Sequence, residues 1–537
     1  MTTFDVLITG ATLIDGTGSQ RRRADVGVRG GRVEALGDLS AASATDVLDA
    51  GSSVVCPGFI DMHTHSDLTP LQDPRCASKI RQGVTTELVG HCGFSAFPLV
   101  RGTSQEETEL SRAVFMGRTG RARWSDCAGY LQALERAGPA FNMATLVGSG
   151  TVRSAVVGYD NRPPRSEELA AMRGEVARAM EQGAFGLSSG LTLYPSSVAQ
   201  TDELVALCEE AAQWDGLYDT HTRHLAGWHF KSVEEAIEIG RLAGVAVQVA
   251  HLCLIDPGVW GQTGRLFEIM EEARATGVDV TFDAYPYTAA GCPFSEAMPD
   301  WVQDGGTDAM LARLADPATR QRTLSEAGTT WFSGLPLRWD KCVIAWPGPH
   351  GDPSWVGGNI AELAAQRKVS PEEMLLDILV QSKDIGLMIV HNRLEEDVEQ
   401  LIAHPLGMVG SDGIAVAADG PWAESPVHPR FYGAFPRVLA RFVRERQALP
   451  LEEAIRKMTS LPADRLGLRD RGRLKRGCAA DIVVFDPTTV QDQATFEQPH
   501  QYPTGISHVL VNGQWAVRDG EQTGARAGQV LRRASSR

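Results

Sequence analysis

Eight times between Pro57 and Gly413 the sequence presents a short apolar run that ends on polar residues. The runs are "PGFIDMHTH", "GVTTELVGHC", "FNMATLVG", "GAFGLSSG", "GLYDTHTR", "VAVQVAHLC", "VDVTFDAYPY" and "LGMVGSDG". Segments of helical period lie between several of them, such as "SEELAAMRGEVARAMEQG", "TDELVALCEEAAQWDG" and "SVEEAIEIGRLAG". Strand and helix alternating over this length imply an α/β chain with a parallel sheet, because parallel neighbours need a crossover between them. Eight strands favour closure into a (β/α)8 barrel over an open sheet. The stretch from about Gly291 to Asp340 is rich in Pro, Trp and Gly and breaks the alternation, so it is expected to be a small insertion over one barrel loop.

The two chain ends differ from this middle. "FDVLITGATLIDG" and "ADVGVRGGRVEALG" near the start, and "AADIVVFDP" and "ISHVLVNGQWAVRDGE" near the end, are short strand-like runs punctuated by Gly and Asp. One small β-sandwich built from both ends is expected, with boundaries at residues 1–57 and 467–537 around a barrel at 58–466. The N-terminus lacks a basic segment followed by an apolar one and reads as part of the fold. No apolar run is long enough to span a membrane. A net charge of −16 argues against a nucleic-acid partner. Nine cysteines, an odd number widely scattered, do not form a disulfide framework, and a cytoplasmic location is expected.

The polar residues that close the runs carry the chemistry. His63 and His65 are two apart and share one face of a strand end. His221, His251 and Asp412 each follow another apolar run. In a barrel the C-terminal strand ends converge on one mouth, where these five residues form a metal-binding cluster. A single histidine after an apolar run is more often structural, but five in register demand five separate coincidences. Cys92, in "ELVGHCGFSAF", admits four roles on its own: core packing, redox group, nucleophile or ligand. "GLSSG" around Ser188 matches a nucleophile-elbow pattern, yet "LTLYPSS" follows it, and Pro195 blocks the helix that such an elbow requires.

Several longer motifs resemble the N-acyl-D-amino-acid deacylases of the amidohydrolase superfamily. They are "PGFIDMHTHSD", "GVTTELVGHCGFS", "GAFGLSSGLTLYP", "DAYPYTA", "GSDG", "HPRFYGAFPRV" and "EEAIRKMTSLPA", and the resemblance runs from about Phe4 to past Gly520. It implies a zinc-dependent barrel with a β-sandwich and a segment inserted over the site. It implies that Cys92, His221 and His251 hold one zinc tightly. His63 and His65 then form a second, weaker position that Cys92 bridges, and Asp412 is the catalytic acid and base. Arg430 and Tyr285 match substrate-binding residues, and Tyr194 is a further candidate.

The resemblance fails at Cys253. Related sequences carry a substrate-binding lysine two residues after the second zinc histidine, and "AHLCLID" has cysteine there. A serine expected after "YPYTA" is also missing, and "THTRHLAG" departs from the family's acidic segment. The expected activity is hydrolysis of the N-acyl bond of a D-amino acid, a small-molecule amide. The alternative is a specialised amidase acting on a cyclic amide or peptide-like metabolite. A barrel that only binds is a third reading, disfavoured because every ligand position is filled. Trp228, Trp301, Trp331 and Trp422 are candidates to wall an apolar pocket.

Overall fold

The computed structural model describes residues 3–99, 124–335, 337–423 and 427–533. Eight parallel strands form the centre: β1 (Phe59–Asp61), β2 (Val84–Val89), β3 (Asn142–Thr145, continued at Val147–Gly148), β4 (Gly186–Gly190), β5 (Leu217–His221), β6 (Ala246–Val249), β7 (Val280–Ala284) and β8 (Gly407–Val409). They pair in chain order, β1 with β2 with β3, and β3 through β8 by way of its second part. The ring closes where Met62 N donates to Val409 O at 3.4 Å and Thr64 bridges Gly413. The strands are buried along nearly their whole length, as expected when helices cover a parallel sheet. Helix Ser166–Glu181 shows how: Met172, Val176 and Met180 recur at helical spacing and are buried against the barrel.

Two further sheets contain the chain ends. One is four-stranded, in the order Arg32–Gly37, Asp25–Arg29, Thr3–Thr9, Ser43–Asp49. The other is seven-stranded and joins Val54–Pro57 to Ile482–Phe485, Ile506–Val511 and Gln514–Arg518. Val6, Ile8, Val26, Ile482, Val484 and Leu510 pack between them in a core separate from that of the barrel.

Between β7 and β8 the chain leaves the barrel for a subdomain with its own core. Ala289–Cys292, Leu387–His391 and Cys342–Trp346 form an antiparallel sheet with Leu387–His391 in the centre. This excursion therefore runs on to His391, well past residue 340, where the sequence pattern placed its end. The cause is that "LMIVH" pairs with "CVIAW" on one side and with the outgoing segment on the other, so the chain cannot rejoin the barrel earlier. Trp331 and Trp355 are buried in this core together with Phe294 and Met374.

Candidate metal centre

The C-terminal ends of the barrel strands deliver His63 and His65 from β1, Cys92 from β2, His221 from β5, His251 from β6 and Asp412 from β8 to one point. Cys92 Sγ lies 3.5 Å from His63 Nε2 and 3.5 Å from His251 Nε2. Donor atoms of Cys92, His221 and His251 lie within 4.8 Å of one another, and so do those of His63, His65 and Cys92. The two groups share the thiol. Asp412 Oδ1 is 3.1 Å from His65 Nε2 and 3.7 Å from His63 Nε2.

The local backbone makes this convergence possible. Cys92, His251 and Asp412 all have positive φ, at 53°, 32° and 50°. L-residues rarely adopt that region, and where they do the surroundings enforce it. At Cys92 the enforcement is visible. Its turn continues into Gly93, at φ 77°, and lies directly against β4: a Cβ on Gly190 would sit 2.1 Å from Cys92 O. A Cβ on Gly148 would sit 2.3 Å from Gly93 O. Ser188 accepts a hydrogen bond from Gly93 N at 3.2 Å and donates to Gly90 O. Ser188 is thus a buttress for the cysteine turn, and the elbow pattern around it has a structural purpose.

Burial keeps the imidazoles neutral, the form that binds metal, against the pull of the nearby Asp412 charge. Burial drives His63, His221 and His251 well below the usual histidine range. His91 is the exception. Burial opposes its charge, but Asp219 outweighs this and raises it. Its Nδ1 lies 2.9 Å from Asp219 Oδ1 and its Nε2 donates to Leu88 O at 3.1 Å, so both nitrogens are engaged. His91, Asp219 and His63 could also be read as a metal triad, but this pairing makes His91 a cation stacked 4.1 Å from the His63 ring. Asp283 orients the other side. It accepts from His251 N at 2.9 Å and from Gln248 Nε2 at 3.0 Å, and its Oδ1 faces His63 Nδ1 at 3.4 Å.

The residues present fit zinc. Thiolate and imidazole are its usual donors. Burial and the surrounding carboxylates push the Cys92 thiol up, so a thiolate here requires a compensating cation. His251 Nδ1 is buried with no hydrogen-bond partner among the described residues.

Beside the metal donors lies a cavity walled by Leu193, Ile255, Trp260, Phe332, Leu335 and Leu337, the last three from the excursion. Asp412, Arg430, Tyr285 and Cys253 are among its lining residues. Arg430 Nη1 is 2.8 Å from Asp412 Oδ2. Burial would raise the Asp412 carboxyl, but Arg430 and His65 hold it well below the usual carboxylate range.

Tyr194 is not among the lining residues. Its hydroxyl donates to Tyr159 O, turning the ring away, and its neighbour Leu193 faces the cavity. The four tryptophans singled out from the sequence are elsewhere too. Trp331 is core, Trp301 donates to Glu326, Trp422 packs on Trp346 and Trp228 is exposed, whereas Trp260 lines the cavity. Arg393, Glu296 and Thr192 were not anticipated. Thr192 Oγ1 is 2.7 Å from His221 Nε2, and burial pushes Glu296 up to about 7. Arg393 ends the run "GLMIVHNR", apolar residues followed by polar ones like the barrel strands, and that was its one signal.

A barrel whose strand ends supply a shared cysteine sulfur, four imidazoles and an aspartate is an amidohydrolase arrangement, and comparison with known proteins agrees. An amidohydrolase family model matches residues 340–517. A D-aminoacylase from Alcaligenes xylosoxydans xylosoxydans is 37% identical over 533 residues, covering 99% of this chain and 98% of that protein. An N-acyl-D-aspartate deacylase from the same organism is 37% identical over 98% of this chain and 95% of its own length. The crystal structure of an N-acyl-D-glutamate deacylase from Bordetella bronchiseptica, complexed with zinc and a phosphonate inhibitor, superposes with a TM-score of 0.83 at 35% identity, covering 99% of this chain and all of that one. The chain belongs to the N-acyl-D-amino-acid deacylase family of amidohydrolases.

Proposed function

We propose that this protein is a zinc-dependent hydrolase that removes the acyl group from an N-acyl-D-amino acid. The observation that carries the reading is the Cys92 thiol, equidistant from His63 and His251 and lining one cavity with the Asp412–Arg430 pair. Cys92, His221 and His251 would hold the tighter zinc, and His63 and His65 with Cys92 would form a second, weaker position. Bound zinc supplies a Lewis acid that polarises the amide carbonyl and lowers the pKa of water. Asp412, held ionised, accepts the proton of the attacking water and returns it to the leaving amine. Arg430 receives the substrate carboxylate; in doing so it loosens its hold on Asp412 and makes that carboxylate a better base. The apolar walls exclude water and receive the acyl chain or the amino-acid side chain.

Among the described residues no helix is long and apolar enough to cross a membrane, and their cysteines are all free and buried. The free, buried thiols support a reducing, cytoplasmic location.

The test is hydrolysis of a panel of N-acetyl D- and L-amino acids by the zinc-loaded protein and two variants. The D-isomers should be cleaved. Asp412→Asn, which suits the positive φ there, should keep its zinc and lose at least about a thousand-fold in kcat. Cys92→Ala should lose both zinc and activity. Full activity in either variant, or no cleavage of any panel member by the parent protein, refutes the reading.

A further inference from the structure

Six side chains besides the histidines and cysteines bring charge or potential charge to the cavity: Glu296, Arg338, Lys341, Arg393, Asp412 and Arg430. Most of the cations are accounted for. Arg338 pairs with Asp340 at 3.0 Å, and Lys341 lies 4.0 Å from the same carboxylate. Arg430 pairs with Asp412. Arg393 differs. Its Nη2 donates to Cys253 Sγ at 3.3 Å, its Nη1 lies 3.5 Å from Ala289 O, and its guanidinium rests 4.2 Å from the centroid of the Tyr285 ring. A thiol, a carbonyl and a ring face are not counter-ions. Its Nε is buried with no hydrogen-bond partner among the described residues. A partly buried guanidinium without an anion leaves its charge uncompensated, and its planar fork suits a carboxylate.

The placement is fixed by the fold. Arg393 follows the central strand of the excursion sheet, and its backbone N donates to Thr288 O at 3.2 Å, just before that sheet begins. Cys253 is two residues beyond the candidate ligand His251, and Tyr285 is the first residue after β7. Arg430 reaches the same ring, 4.9 Å from its centroid. Two guanidiniums thus meet on one tyrosine at the edge of the metal centre, one occupied by Asp412 and one without a carboxylate.

We propose that Arg393 is a substrate-binding residue that, together with Arg430 and across Tyr285, holds the carboxylate of the N-acyl amino acid. The segment that leaves the excursion for the barrel thereby contributes the charge that fixes which end of the substrate faces away from the metal. This assignment rests on the deacylase reading above.

Steady-state kinetics on the N-acetyl-D-amino acid that the parent protein cleaves fastest test it, with zinc content measured in every variant. Arg393→Met should raise KM by about thirty-fold or more, the loss of a charge-assisted bidentate contact, with kcat within a few-fold and zinc unchanged. Adding Cys253→Lys to Arg393→Met returns a cation to the same spot and should recover at least about five-fold of that KM. A KM within about three-fold of the parent value in Arg393→Met, or no recovery in the double variant, overturns the proposal and leaves the deacylase reading standing. If Arg393→Met does not fold, Arg393→Lys replaces it. KM for the acid should then rise about ten-fold while inhibition by the corresponding N-acetyl-D-amino-acid amide stays constant, and equal changes for acid and amide overturn the proposal. A parent protein that cleaves no N-acetyl amino acid overturns the deacylase reading and this assignment with it.

Discussion

His63 is held by three neighbours of different character. Asp283 faces one nitrogen, Cys92 the other, and the His91 cation stacks on the ring. Removing the carboxylate leaves the imidazole neutral but free to turn. Asp283→Asn should therefore weaken zinc binding about ten- to a hundred-fold, as measured by competition with a chelator, although every candidate ligand residue is retained. The residues legible in the sequence share one property: each ends a barrel strand. Periodicity locates strand ends, and the barrel brings them together, so His63, His65, His221, His251 and Asp412 could be placed from pattern. Assigning Cys92 needed the resemblance, because a thiol in a turn has several uses. Arg393 and Glu296 escaped because they reach the cavity from the excursion and the segment just after it, whose position over the mouth no periodicity encodes. Tyr194 misled because only the fold shows that its hydroxyl finds Tyr159 O.

At the scale of elements, the turn after β2 and the strand β4 act as one piece. The Cys92 carbonyl lies where a side chain on Gly190 would need to be, and backbone cannot yield as a flexible side chain can. Gly190→Ala touches no ligand, yet it should push the Cys92 turn outward. The expected result is a stability loss of about 1–3 kcal/mol in chemical denaturation, accompanied by a drop in zinc content. Unchanged zinc in that variant would show that the turn has slack. The eight barrel strands were readable because each lies in a short apolar-rich run that closes on polar residues, with helical segments between several of them. The far end of the excursion was not, since its strands also look like barrel strands and only their antiparallel pairing sets them apart.

Across the whole molecule, one polar knot joins the terminal β-sheets to the barrel. Asp481 Oδ2 accepts from Asn142 Nδ2 at 3.1 Å and from Arg471, while Asp481 Oδ1 accepts from Asn512 N at 2.7 Å. Asn142 Oδ1 in turn accepts from Asn512 Nδ2 at 2.8 Å and Gln529 N at 3.0 Å. Asn142 stands on β3, so residues more than 300 positions apart meet there. Asp481→Ala strips a buried arginine of its counter-charge and should cost about 3–5 kcal/mol of unfolding free energy. Activity per zinc-loaded, folded molecule should stay near the parent value, because the knot lies beside β3 and not at the strand ends that carry the ligands. A fall in kcat matching the fall in stability would show instead that the terminal sheets tune the metal centre.

The excursion between β7 and β8 has a hydrophobic core of its own, centred on Trp331, Trp355 and Phe294, and it overhangs the cavity through Phe332, Leu335 and Leu337. The metal donors stand outside that core. A descendant of this chain could rewrite about a hundred contiguous residues, and with them its diet, while inheriting the zinc chemistry unaltered.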